Sequence, residues 1–175
     1  MSRYWLIPIL YVCFLLEGTL LQWLIPPHFK LNIGVSPHLM LVVLLYISMF
    51  LRRRWATGLG LIFGFLHDFI YYGSMIGPYA FGLSVTTYLA GLITARSKLT
   101  LFSTVAVMGF SFVLFEHFLY GAYYLFQVIL YSYEWTMMHI MIPNVVFHLL
   151  LALILYIPMR YIIDRMKAKP KEEDS

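Results

Sequence analysis

Three acidic residues and several histidines stand inside otherwise apolar stretches, and these are the residues that could do chemistry. Glu17, Asp68 and Glu116 are the acids, with His67 and His117 next to two of them and His139 and His148 further along. An ionised carboxylate at membrane depth costs roughly 3 kcal/mol or more at a helix centre. Such groups either pair with a neighbour or move protons and ions. Asp68 also falls on one helix face with Gly60 and Gly64, because residues four apart lie above one another.

Other chemistries have little support. No HExxH motif and no pair of histidines at i, i+4 occurs, and adjacent His67 and Asp68 point about 100° apart on a helix. No metal site is expected from this spacing. The single cysteine, Cys13, rules out a disulfide within the chain. No nucleophile, base and orienting group occur together, so no catalytic residues are assigned and no cofactor is expected. A nucleotide-binding motif is absent.

The elements that must position these residues are apolar helices. The chain has 175 residues, of which 62% are hydrophobic and 11% charged. Soluble domains run at about 45–50% apolar and about 25% charged. The reading is an integral, all-α membrane protein. The N-terminal run after Arg3 is too long for a signal-peptide core and lacks a small-residue cleavage site, so it reads as a retained span.

Six transmembrane helices are predicted, over 4–25, 37–51, 55–72, 79–95, 99–119 and 135–156. Ser36 looks like the N-cap of the second, with Pro37 at its first position. Residues 99–131 as one helix would reach roughly 50 Å against a hydrocarbon core of roughly 30 Å, so a break is expected at Gly121. Gly77, Pro78 and Tyr79 form the outer turn before the fourth helix. Residues 1–160 make one domain, followed by a polar cytoplasmic tail at 161–175.

Charge fixes the expected orientation. With both termini cytoplasmic, Arg3, Arg52, Arg53, Arg54, Arg96, Lys98, Arg160, Arg165, Lys167, Lys169 and Lys171 fall inside and only Lys30 outside. That bias is what the positive-inside rule demands.

Two groupings follow. Gly60, Gly64, Phe65 and Asp68 form a face suited to docking a partner's helix, since glycines four apart allow close backbone approach. Packing within the chain's own bundle is the alternative for that face. Glu17, Glu116, Asn144 and His67 could form a hydrogen-bonded polar network across helices.

The ordered set of motifs resembles the MreD family of bacterial rod shape-determining membrane proteins. The pattern is Gly64-Phe65-Leu66, Asp68, Gly77, Tyr79 and Phe81-Gly82. Glu17 in the first span, Leu114-Phe115-Glu116 in the fifth, and Ile142-Pro143-Asn144 with Pro158-Met159-Arg160 in the last agree with it. His67 departs from the pattern, which usually has an aromatic residue there. The resemblance implies a non-enzymatic scaffold in the bacterial cytoplasmic membrane. Its implied partner is MreC, through a transmembrane helix, and indirectly MreB, a RodA-type glycosyltransferase and a penicillin-binding transpeptidase. Membrane lipids surround it, and no nucleic acid is involved. The family's six-helix layout is also similar to the substrate-binding subunits of energy-coupling-factor transporters, which leaves solute binding as the rival reading.

Overall fold

The computed structural model describes residues 6–21, 36–71, 75–95 and 99–167, with side chains of 20 and 21 excluded. Expected span residues 4–5, 22–25 and 72, and the tail from 168, lie outside them.

Six helices make up the described residues. They are α1 (Leu6–Leu16, continued by a π turn over Glu17–Leu21), α2 (Leu39–Phe50), α3 (Arg53–Ile70), α4 (Pro78–Thr94) and α5 (Leu101–Leu125). The sixth, α6 (Tyr133–Lys167), contains a π turn at Met137–Met141. No strand occurs among the described residues.

Helix α2 is the axis of the bundle. Its sequence LMLVVLLYISMF is apolar all round, and every one of its residues is buried. A helix with no polar face has to be surrounded. It contacts α1, α3, α4 and α6, and α5 closes the ring between α4 and α6. Its few polar groups are satisfied by neighbours: Tyr46 donates to the Ala152 carbonyl at 2.6 Å and Ser48 to the Thr87 carbonyl at 2.6 Å.

Helix α3 reads as a stripe. Ala56, Leu59, Gly60, Phe63, Gly64 and Asp68 are buried, at steps of three and four. Trp55, Leu61, Ile62, Phe65, Phe69 and Ile70 are exposed on the other side. The exposed shell of the whole bundle is similarly apolar, with Phe102, Ile154 and Ile157 among the most exposed side chains. A water-soluble monomer rarely carries apolar surface on this scale.

Several expectations are corrected. Ser36 is not the cap of α2; the helix begins at Leu39, with His38 in the N-cap position. The start of α2 is buried, and its amides are met by side chains from other helices instead. Helix α5 does not break at Gly121 but runs to Leu125. The glycine sits in open space, so nothing forces a kink there. The chain turns instead at Gln127, whose φ is 56°. Helix α6 starts at Tyr133 and continues through Pro158 to Lys167, past the expected span end at 156. The π turn over Met137–Met141 directly precedes Pro143. A proline ring collides with the carbonyl four residues back, and a widened turn relieves that collision.

Candidate functional site

The alternating direction of the helices brings the C-terminal ends of α1 and α3 and the second half of α5 level with the starts of α2 and α4 and the first half of α6. Glu17, His67 and Glu116 come from the first set; His38, Tyr79, Asn144 and His148 come from the second. Six helices thereby contribute to one polar layer in an otherwise apolar interior.

Glu17 is the centre of that layer and is only 3% exposed. Its Oε2 accepts the backbone N–H of Met40, in the first turn of α2, at 2.9 Å. Its Oε1 accepts the Tyr79 hydroxyl at 3.2 Å. His67 Nε2 lies 3.4 Å and His38 Nδ1 3.7 Å from the same oxygen. A carboxylate at a helix N-terminus meets both an unpaired donor and the positive end of the helix dipole. Here the carboxylate is supplied by a different helix.

Two amides just before α2 are met in the same way. The His38 N–H donates to His148 Nε2 at 2.8 Å, and the Ser36 N–H to Asn144 Oδ1 at 2.9 Å. Both acceptors sit on α6, one turn apart. His38 stacks on His148 with ring centres 5.2 Å apart and meets Phe115 edge-on. His67 stacks on Tyr79 at 3.8 Å.

Asp68 serves a second helix start. Its Oδ2 accepts the Gly77 N–H at 2.9 Å and the Ala80 N–H at 3.3 Å, so it caps α4 from α3. Gly77 has φ 118°, a conformation that suits glycine, and Pro78 follows at the first turn. Tyr79, expected only as part of that turn, is buried and points into the polar layer.

The glycine face is filled from within. A Cβ on Gly64 would overlap the Ala80 backbone, and one on Gly60 would lie 3.6 Å from Leu44 and 3.7 Å from Leu83. Of the proposed docking residues, Gly60, Gly64 and Asp68 therefore face α2 and α4. The reason is geometric: the small residues let α4 approach closely enough for Asp68 to reach its amides. Phe65 points the other way and is exposed.

Of the residues expected in a polar network, Glu17 and His67 are in contact, and Asn144 lies beside Glu116 as well as bonding Ser36. Glu116 is buried, with no hydrogen-bond partner for its Oε1. His117 and His139 stay outside this layer: His117 contacts the Tyr133 hydroxyl at 2.8 Å, and His139 stacks on Trp135.

Sequence reasoning missed His38, and it named His148 without placing it in the polar network. A usable signal existed, since alternating helix directions place residues 17, 38, 67, 116 and 148 toward one end. Local spacing does not reveal it. The ligand atoms of Glu17, His38 and His67 all lie within 4.8 Å of one another, although the residues come from three elements.

The opposite end of the bundle is basic. Arg52, Arg53 and Arg54 line a recess of about 840 Å³. Arg53 lies over the Tyr88 ring and Arg160 over the Phe50 ring.

A six-helix bundle with an apolar shell, one buried acid–histidine layer and one basic end defines a class of helical membrane proteins. Helices Leu101–Leu125 and Tyr133–Lys167 are long and apolar enough to cross a membrane. The model of the rod shape-determining protein MreD family matches residues 2–166, and the chain belongs to that family. It is 27% identical over 139 residues to the rod shape-determining protein MreD of Bacillus subtilis (strain 168), covering 79% of this chain and 80% of that protein. No solved structure matches it.

Proposed function

We propose that this protein is a non-enzymatic scaffold of the bacterial rod-shape machinery, embedded in the cytoplasmic membrane by six spans with both termini inside. The family match across residues 2–166 carries this reading. The charge distribution supports the orientation, since the arginine-lined recess then faces the cytoplasm and anionic headgroups. In this orientation the acid–histidine layer lies toward the wall side.

The scaffold binds the transmembrane helix of MreC and helps couple MreB filaments to wall synthesis. The surface best suited to that helix is the outward face of α3, where Ile62, Phe65 and Phe69 are exposed. The glycines behind them hold α4 in place and so keep this face rigid. Cysteines placed at Ile62 or Phe65 in an otherwise functional chain should crosslink to MreC in native membranes. Crosslinks confined to other helices would move the docking face, and none anywhere would remove MreC as a direct partner.

Solute binding draws on the same polar layer. The recess beside Glu116, about 140 Å³, is walled by apolar side chains of α5 and α6 such as Val113, Met141 and Val146, a lining that favours the scaffold over a polar solute.

A further inference from the structure

We propose that Glu17, His38 and His67 form a binding site for a divalent transition-metal ion of the zinc class. Glu17 Oε1 lies 3.4 Å from His67 Nε2 and 3.7 Å from His38 Nδ1, and the three ligand atoms all lie within 4.8 Å of one another. Zinc bound tetrahedrally at about 2.0–2.2 Å holds its nitrogen and oxygen ligands roughly 3.4 Å from each other. Two edges of that tetrahedron are therefore nearly in place, and closing the third asks for a small rotation of an imidazole.

The donor set selects the ion. Two imidazoles and one carboxylate suit zinc and its first-row neighbours. Calcium and magnesium require more oxygen ligands than this site offers. The Tyr79 hydroxyl, 3.2 Å from both Glu17 Oε1 and His38 Nδ1, stands beside the open fourth position. When the ion binds, His38 Nδ1 and His67 Nε2 present lone pairs, so any proton they carry is released. The Tyr79 hydroxyl then keeps only its bond to Glu17.

Each ligand is already oriented by a contact that the ion does not need. The other oxygen of Glu17 is held by the Met40 N–H. His67 lies flat on Tyr79, and His38 is stacked on His148. Supports of this kind fix ring orientation at metal centres. The His67 side chain is 18% exposed, which gives an ion a way in. Once bound, the ion would clip α1, the start of α2 and α3 together, where the apo chain relies on hydrogen bonds.

The test uses the full chain in lipid nanodiscs, purified without a histidine tag and stripped with a chelator. Titration with Zn²⁺ should give about one ion per chain. Co²⁺ should give the visible absorption of a tetrahedral nitrogen–oxygen site, and zinc X-ray absorption should report two imidazoles. His67→Gln should weaken binding at least about tenfold, and His139→Gln should leave it unchanged. Zinc should raise the unfolding temperature of the parent chain, with little effect on His67→Gln. His67→Gln is preferred over Glu17→Gln because it leaves the Glu17–Met40 bond intact. If it does not fold, the X-ray absorption of the parent chain decides alone. Binding well below one ion per chain, equal affinity in His67→Gln, or a zinc spectrum without imidazoles would overturn the proposal and leave a purely hydrogen-bonded network.

Discussion

Asp68 on α3 accepts the backbone N–H of Gly77, 2.9 Å away, at the start of α4. The acid that interrupts an apolar helix is thus the cap of the next one, with the Ala80 N–H as its second donor. Removing a carboxylate cap costs about 0.5–2 kcal/mol, and buried orphan amides push it toward the upper end. Asp68→Ala should therefore lower the unfolding temperature clearly, and Asp68→Asn, which keeps an acceptor, should lower it less. Thermal unfolding of both variants in one detergent checks this; equal stability of Asp68→Ala and the parent chain would refute the capping role.

Two glycines should respond oppositely to alanine. Gly64 has no room for a methyl group, because a Cβ there would run into the Ala80 backbone. Overpacking of this kind costs about 1–3 kcal/mol, and Gly64→Ala should reduce both stability and yield. Gly121 lies inside α5 with open space around it. Gly121→Ala should stabilise the chain by about 0.5–1 kcal/mol. A side-by-side melt of the two variants separates tight packing from simple helix propensity.

Glu17 should be more sensitive than any other acid in the chain. Glu17→Leu leaves the Met40 N–H without its acceptor inside the bundle and removes one of the two partners of the Tyr79 hydroxyl. The expected loss is about 2–4 kcal/mol, on the scale of buried hydrogen-bonded charges. Glu17→Gln keeps an oxygen for Met40 and should recover part of it. If protease resistance in membranes is the same for Glu17→Leu and the parent, the layer contributes nothing to the fold.

Gln127 is the one non-glycine residue with a positive φ among the described residues. It has φ 56°, where a side chain is disfavoured, and it follows the end of α5. Gln127→Gly should be neutral or stabilising by up to about 1 kcal/mol. Gln127→Val, branched at Cβ, should destabilise. A ranking with valine equal to glycine in thermal unfolding would show that the turn does not depend on this conformation.

Much of the fold was legible because apolar runs and breaks are local signals. Helices α2, α3 and α4 begin and end close to the expected spans, whereas α5 runs on to Leu125 instead of 119 and α6 to Lys167 instead of 156. Ser36-Pro37 has the form of a helix start, yet the helix begins at Leu39 because Glu17, Asn144 and His148 supply the acceptors there. Gly121 has the form of a break, yet no neighbour presses on it. The glycine face next to Asp68 reads from the sequence as a docking surface for a partner's helix, but Gly60 and Gly64 pack against α2 and α4 of the chain's own bundle. Pairwise spacing cannot say whether a smooth face meets its own chain or another.

The sequence by itself determined the helices, their apolar shell, the charged end and the family, because each is written in local composition or in motif order. Only the tertiary structure decided what the buried polar residues do. Glu17, His38 and His67 lie far apart in the chain, and no periodicity links them. They meet because antiparallel packing around α2 brings alternate helix ends to one level. There, the unpaired amides of two buried helix starts require acceptors that only neighbouring helices can provide.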